Sequence, residues 1–196
     1  MPDPKSLSSQ VLVIIVVLLT AGAGFLFFYW LPKRRAAERS ADEKIVRTLL
    51  WSLGSAEADF RANDRDSNGV LDFWTGDVAE LFKGAGRRDI AQADVNPIHP
   101  LVPTPVPFHG YYFAALHSDD SETPPEAYRQ ETDKKSGKVH HLSKYGFVAF
   151  PADPASGRRI YIVNENHTVF HRVGEAPPPK NWPTDAEIVN FWLKID

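Results

Sequence analysis

The apolar and polar positions of this chain change their pattern twice. Residues 11–30 carry no charge, and this run is about as long as a helix that crosses the hydrocarbon core of a membrane. Tyr29 and Trp30 end the run, as aromatic residues do at a membrane interface. A cleaved signal peptide would be shorter and would have a more basic start than Lys5 alone provides. We therefore expect a retained transmembrane helix.

The next segment has the spacing of an amphipathic helix. Pro32 lies at its start and is expected to kink the helix rather than end it, because good helix formers follow at once. Gly54 is the one residue that weakens the pattern. Apolar side chains recur three and four positions apart, which places them on one helical face: Val46, Leu49, Leu50, Leu53, Ala56 and Phe60.

From Gly110 onward the pattern changes to short runs of aromatic and β-branched residues, which are typical of strands. The last three runs are separated by turn-type sequences, which predict an antiparallel meander. The polar segment 118–138 between the first two runs is expected to be an exposed excursion. A short helix capped by Thr184 or Asp185 is predicted near residue 190. The four strand-like runs are GYYFAALHS, YGFVAFPAD, RRIYIVNEN and TVFHRV.

A long helix whose apolar face meets an antiparallel sheet forms a two-layer α+β arrangement. We therefore predict an α+β fold in which a membrane span continues into an amphipathic helix that packs on a small antiparallel sheet. The predicted divisions are a polar lead over residues 1–10, a transmembrane helix over 11–31, a stem helix over 32–62 and a globular domain over 63–196.

The composition narrows the possible functions. The chain has 196 residues and a formal net charge of -3, with acids and bases interspersed, so it lacks the basic surface typical of nucleic-acid binding. It has no cysteine, which excludes disulfides, thiolate metal sites and a cysteine nucleophile. We expect its partners to be the membrane bilayer and other proteins or further copies of the chain, and not nucleic acid.

The order of apolar stem, proline and antiparallel sheet resembles the type IV pilins and pseudopilins. Leu31-Pro32-Lys33 is similar to the proline site of their stems. Four further stretches resemble bacterial pilin-like proteins of unknown function and planctomycete type. The resemblance implies a cell-envelope protein that acts by assembly or binding and not by catalysis. The four stretches are SAEADFRANDRDSNGVLDFWTGDVAELF, GYYFAAL, YGFVAFPAD and RRIYIVNENHTVF.

The stem departs from this resemblance at two positions. Counting back from Pro32, Gln10 stands where pilins have the glycine of the prepilin cleavage motif, and Ile15 stands where they have an acidic residue. We therefore expect an uncleaved anchor. The resemblance implies an extracytoplasmic domain, and long domains translocate largely regardless of charge. The positive-inside rule alone would favour the cytoplasm, because four basic residues follow the span: Lys33, Arg34, Arg35 and Arg39.

The sharpest motif is the stretch from Asp64 to Asp72. It has oxygen-bearing side chains at loop positions one, three, five and nine and a glycine at position six, as in loops that surround Ca²⁺ with six to eight oxygens. Position twelve is Thr75 instead of a bidentate glutamate, and Asp77 can complete the shell only if the loop is longer than usual. A turn that ends the helix and binds nothing is an equal alternative. The predicted structural Ca²⁺ ligands are Asp64, Asp66, Asn68, Asp72, Thr75 and Asp77.

A second hypothesis belongs to a different class, namely a membrane-tethered enzyme or ligand-sensing domain. The sequence contains no nucleophile elbow, phosphate-binding loop or dinucleotide fingerprint. We expect the histidines to be solvated or half-buried. An enzyme would instead be favoured if two or more of four side chains met in a pocket: His117, Asp119, His140 and His141.

Overall fold

The computed structural model describes residues 4–76, 78, 81, 107–128, 140–174 and 177–195. Asp77, one of the predicted metal ligands, lies outside the described residues. The chain divides into two compact units, Met1–Ala41 and Asp42–Asp196. The first unit is helical, and the second contains the sheet together with most of the second long helix.

Helix α1, Pro4–Phe25, is followed by a π-helical turn, Leu26–Trp30, and by α2, Leu31–Asn63. The first helix starts inside the predicted polar lead, because proline is well tolerated in the first turn of a helix. Pro32 does not end the helical run: the π-helical turn comes directly before it, and the N–H of Leu31 donates to the carbonyl of Leu26.

One helix near the amino terminus is long and apolar enough to cross a membrane. It lies within Ile14–Asn63, and none of its most apolar stretch is buried inside the protein. Its side chains are exposed along their length, from Val11 at 52% to Phe28 at 87%. An apolar surface of this extent is typical of a segment that contacts lipid.

The second unit contains a five-stranded antiparallel sheet in the order β1-β4-β5-β6-β7 and a two-stranded sheet formed by β2 and β3. The α+β fold and the antiparallel meander of β4, β5 and β6 are therefore confirmed. The strands are β1 Tyr111–Ala115, β2 Ser118–Asp119, β3 Glu126–Ala127, β4 Gly146–Pro151, β5 Arg159–Asn164, β6 Val169–Val173 and β7 Leu193–Ile195.

The predicted apolar face of α2 packs on one side of the five-stranded sheet. Leu50 and Leu53 are fully buried, and they share one apolar cluster with Phe113, Phe147 and Val163 of the strands. Burial of each such side chain contributes about 1.5 to 3 kcal/mol. The stripe in the sequence therefore marks the helix face that forms the core.

Gly54 has a packing role within this face. The ring of His167 lies where a β-carbon on Gly54 would be, so any larger residue would collide with it. His167 has a φ of 54°, because it lies in the tight turn between β5 and β6. The glycine that weakened the helix pattern is the position at which this turn approaches α2.

The other face of the sheet is also covered, which the two-layer prediction did not include. Trp182, Trp192 and Tyr128 are buried there, together with Val148 and other strand residues. Successive residues of β4 and β5 are buried, which is the pattern of strands covered on both faces. The predicted excursion is therefore not simply exposed, because it forms β2 and β3 and delivers Tyr128 to this core.

The carboxyl-terminal helix α3, Asp185–Phe191, has the predicted cap. The Thr184 side chain accepts from the N–H of Glu187, and the Glu187 side chain accepts from the N–H of Thr184. Such a capping box satisfies two donors at the start of the helix. Strand β7 follows directly and pairs with β6, an edge strand that the sequence pattern did not predict.

Candidate functional site

The loop that follows α2 is folded by its own acidic side chains. Asp64 has a φ of 43° and Gly69 a φ of 80°, a left-handed conformation that aspartate tolerates and glycine favours. Both carboxylate oxygens of Asp64 accept backbone hydrogen bonds, from the N–H of Asn68 at 3.1 Å and from that of Gly69 at 3.1 Å. The glycine at loop position six is therefore required by the backbone.

Asn68 connects the neighbouring loop positions. Its amide nitrogen donates to Oδ2 of Asp66 at 2.9 Å, and its amide oxygen accepts from the N–H of Val70 at 2.7 Å. Asn68 is buried, whereas Asp66 is exposed. The oxygen-bearing side chains at positions one, three and five are thus joined by hydrogen bonds from Asn68, and their role as metal ligands stays a prediction.

Asp72, at position nine, is the most deeply buried of the described members of the predicted set, with 1% of its surface exposed. Its Oδ2 accepts from the N–H of His140 at 2.6 Å. Its Oδ1 has no hydrogen-bond partner among the described residues. A buried carboxylate oxygen without a donor or a cation is costly, so this atom marks a place where a positively charged ligand would be stabilising.

Thr75, at position twelve, is joined to a buried histidine. Its N–H and its hydroxyl both lie close to Nδ1 of His140, at 3.3 and 3.2 Å. The ring of His140 packs against Trp74, with centroids 4.3 Å apart, and lies edge-on to Phe60 at 6.1 Å. The twelfth position of the loop therefore helps to hold His140.

The two described basic residues next to the loop, Arg61 and Arg65, have partners outside the acidic group. Arg65 binds Asp59 of α2, with Nη2 and Oδ2 2.8 Å apart. Arg61 donates to the carbonyl of Leu71 at 3.3 Å and lies over the ring of Phe73. No ion pair among the described residues involves the carboxylates at loop positions one, three and nine.

Burial and the neighbouring carboxylates of the loop affect the pKa of Asp66. Burial raises the pKa of Asp66, and the carboxylates of Asp72 and Asp64 raise it further, against the opposing hydrogen bond from the N–H of Asn68. The negative charges of the loop therefore repel one another at neutral pH. A divalent cation would remove that repulsion.

Glu57 of α2 extends the acidic group into the core. It is fully buried; its Oε2 accepts from the N–H of Trp74 at 2.9 Å, and its Oε1 has no partner among the described residues. Burial raises the pKa of Glu57 well above its usual range, and the Asp72 carboxylate raises it further, whereas the hydrogen bond from Trp74 lowers it. Glu57 lies outside the loop motif, so the spacing of the loop could not reveal it.

The described residues contain no group of three or more His, Cys, Asp or Glu side chains that could hold a metal ion as they stand. The loop nevertheless contains several kinds of oxygen that can bind a metal ion. They are the carboxylates of Asp64, Asp66 and Asp72, the amide oxygen of Asn68 and the carbonyl at position seven. Ca²⁺ accepts such oxygen sets in flexible geometry. The orphaned Oδ1 of Asp72 is the feature of this set that fits a cation.

A second polar network surrounds Lys144, which directly precedes the sheet strand β4. Its ammonium group lies 2.9 Å from Asp119, 2.6 Å from Glu122 and 3.1 Å from Glu126. Hydrogen bonds to these carboxylates raise the pKa of Lys144, although burial alone would lower it. The network joins the two-stranded sheet to the segment before β4.

His141 belongs to this second network. Its Nδ1 accepts from the N–H of Lys144 at 2.9 Å, so the ring proton of a neutral His141 is on Nε2, which donates to Glu126 at 3.1 Å. The residue before it, His140, contacts the acidic loop. Both histidines are buried, contrary to our expectation, because each ring satisfies its polar atoms inside the protein.

Of the four residues that would favour an enzyme, Asp119 and His141 both belong to the network of Lys144 and Glu126, whereas His140 contacts the acidic loop. Among the described residues no hydrogen bond joins two of those four side chains directly. A groove of about 240 Å³ lies elsewhere and includes Ile45, Leu49 and Phe108 in its lining. Comparisons with protein-family models, with curated proteins and with solved structures found no match to this chain.

Proposed function

We propose that this chain is a membrane-anchored, non-enzymatic, pilin-like protein of a bacterial envelope. Its domain lies outside the cytoplasm and acts by assembly or by binding another protein, and the loop from Asp64 to Asp72 holds a structural Ca²⁺ ion. The anchor is supported by the exposed apolar helix within Ile14–Asn63. The pilin-like character is supported by the order of long helix and antiparallel sheet.

The observation that carries the calcium assignment is the orphaned Oδ1 of Asp72, which is 1% exposed. A bound Ca²⁺ ion would supply the missing partner and would offset the repulsion between Asp66, Asp72 and Asp64. Asp64 and Asn68 already fold the loop through backbone hydrogen bonds. Their remaining lone pairs, brought together by a rearrangement of the loop, are the further ligands that we assign to the ion.

A role in assembly or binding is supported by the exposed apolar side chains at the end of the domain. Val189 is 82% exposed, Phe191 is 66% exposed and Leu193 is 64% exposed. They lie on α3 and on the edge strand β7, beside whose outer side the described part of the chain has no further strand. Adjacent apolar side chains on an open sheet edge are typical of a protein contact.

The test uses the full chain in detergent after removal of metal with a chelator. Addition of Ca²⁺ at about a hundred times its dissociation constant is expected to raise the melting temperature by about 5 to 10 °C. Asp72→Asn should abolish this rise, whereas Asp153→Asn, a change of an exposed turn aspartate, should preserve it. An unchanged melting temperature of the wild type in millimolar Ca²⁺ would remove the metal from the proposal.

The anchor and the assembly role are tested with the chain reconstituted in lipid vesicles. The wild-type chain is expected to float with the vesicles after an alkaline wash, and a chemical cross-linker is expected to join copies of the chain or to attach a partner from envelope extracts. Loss of the chain in the wash would reject the anchor. An anchored chain that yields only monomers in both cross-linking experiments would reject assembly and binding.

A further inference from the structure

The segment directly after the apolar helix concentrates positive charge in a chain whose net charge is -3. Between residues 33 and 39 there are four basic residues and a single acid, Glu38. Arg34 pairs with that acid at 2.9 Å. No ion pair among the described residues involves Arg35 or Arg39. The guanidinium group of Arg39 donates a hydrogen bond to the backbone carbonyl of Arg35.

Two of these cations lie back over the aromatic pair that ends the apolar run. Nζ of Lys33 donates to the hydroxyl of Tyr29 at 2.7 Å and lies 4.2 Å from the centre of its ring. The guanidinium carbon of Arg34 lies 5.4 Å from the ring of Trp30. Aromatic side chains of this kind lie at the level of the lipid headgroups, so these two charges lie at the same level.

The remaining two cations extend the charge by a short distance along the helix. From Lys33 to Arg39 the helix rises about 9 Å, which is close to the thickness of one headgroup layer, about 5 to 8 Å. It is also comparable to one screening length at physiological salt, about 8 Å. All four cations can therefore act on the same layer of phosphates.

We propose that Lys33, Arg34, Arg35 and Arg39 form a binding segment for the phosphates of anionic phospholipids, next to the point at which the helix leaves the bilayer. The inference rests on the proposed membrane anchor and adds a lipid class to it. Each cation near an anionic surface favours acidic lipid about fivefold. The segment thus gathers acidic lipid around the helix and fixes how far the helix is inserted.

The absence of cysteine allows a direct test in the full chain. A single thiol is introduced with Ala37→Cys, at an exposed position within the segment, and is labelled with a fluorescent donor. The chain is reconstituted in vesicles of phosphatidylcholine and phosphatidylglycerol, with a tail-labelled acceptor of one lipid or the other. The ratio of energy transfer to the two lipids measures the local enrichment of the acidic lipid.

We expect enrichment of phosphatidylglycerol around the labelled wild type and a decrease of this enrichment with added NaCl. Arg35→Gln with Arg39→Gln should lower the enrichment at least fivefold, because two cations are removed. The matched control is Lys44→Gln with Lys194→Gln, which removes two exposed charges elsewhere and should leave the ratio unchanged. Inorganic phosphate should lower the enrichment no more than NaCl of equal ionic strength.

Three results would overturn the proposed phospholipid-binding segment while leaving the anchor intact. The first is equal energy transfer to both lipids, and the second is the same enrichment in the arginine variant as in the wild type. The third is a loss of enrichment in the lysine control equal to that in the arginine variant. A larger effect of inorganic phosphate than of NaCl would assign the cations to free phosphate and would also overturn it. Failure of the chain to float with the vesicles would reject the proposed anchor, and the lipid segment with it.

Discussion

Two acidic groups in the same domain differ in whether the protein provides their cation. Around Lys144, the carboxylates of Asp119, Glu122 and Glu126 lie within 2.6 to 3.1 Å of one ammonium group. In the loop after α2, the carboxylates at positions one, three and nine form no ion pair with the described basic residues. The first group has its cation among the described residues, whereas the second has none there.

The difference appears in the ionisation of the acids. Lys144 lowers the pKa of Glu126, and hydrogen bonds from Ser121 and Lys144 lower the pKa of Asp119, although its burial alone would raise it. In the loop, burial and neighbouring carboxylates raise the pKa of Asp66. The pKa of Asp66 is thus shifted in the opposite direction to those of Asp119 and Glu126, and a divalent cation would lower it again by offsetting the negative charge.

The largest effect is expected from removal of the internal cation. Lys144→Met should destabilise the fold by about 3 kcal/mol, because three carboxylates would lose their partner at a site where Lys144 is only 19% exposed. Thermal unfolding of the full chain in detergent measures the change. Lys180→Met, at an exposed lysine, is the control and should cost less than about 0.5 kcal/mol.

The pH dependence of this variant tests the same network. The folded pKa values of Asp119 and Glu126 are lowered, so the stability that they contribute is present above their unfolded pKa values and is lost as the pH falls through the folded values. Lys144→Met should reduce this acid-dependent loss, leaving the part that the hydrogen bonds from Ser121 to Asp119 provide. A variant that keeps the wild-type acid profile would show that Lys144 does not set these ionisations.

The apolar pattern of the sequence predicted the region around Lys144 less well than it predicted the core between α2 and the sheet. The stripe on α2 and the runs of β4, β5 and β6 are visible in the sequence, because periodic burial leaves a periodic pattern. Strands β2 and β3 have two residues each, and β7 has three. Such short strands are stabilised by tertiary contacts and leave no pattern of their own.

The acidic loop was predictable in part for a similar reason. Asp64, Asp66 and Asn68 are close in sequence, and loop spacing alone brings their side chains together. Glu57 and His140 reach the loop only through tertiary contacts, to Trp74 and to Asp72. Sequence spacing also assigned Thr75 to the metal, a role that stays a prediction, whereas the structure has it beside His140.

A smaller effect of opposite sign is expected at Glu57. Glu57→Gln should stabilise the metal-free protein at pH 7 by about 1 to 2 kcal/mol, because a fully buried acid beside Asp72 no longer has to ionise. The amide oxygen can still accept from the N–H of Trp74. Chemical unfolding of the full chain with chelator present measures the difference.

The sign of the pH dependence distinguishes this effect from simple repacking. The folded pKa of Glu57 is raised, so its stabilising contribution is complete below the unfolded pKa and is lost as the pH rises through the folded value. The advantage of Glu57→Gln should therefore grow from acid to neutral pH. A difference that is constant with pH would mean that Glu57 is not the group that titrates.

The smallest effect is expected at Arg65, which tests whether the loop really lacks an internal cation. Arg65 pairs with Asp59, and both side chains are about half exposed, at 52% and 49%. Arg65→Gln should therefore cost only about 0.5 kcal/mol of stability and should leave the calorimetric affinity for Ca²⁺ within about twofold, since a charge facing outward is screened by solvent. If the affinity instead rose tenfold or more, Arg65 would be competing with Ca²⁺ for the acids, and the contrast with Lys144 would fail.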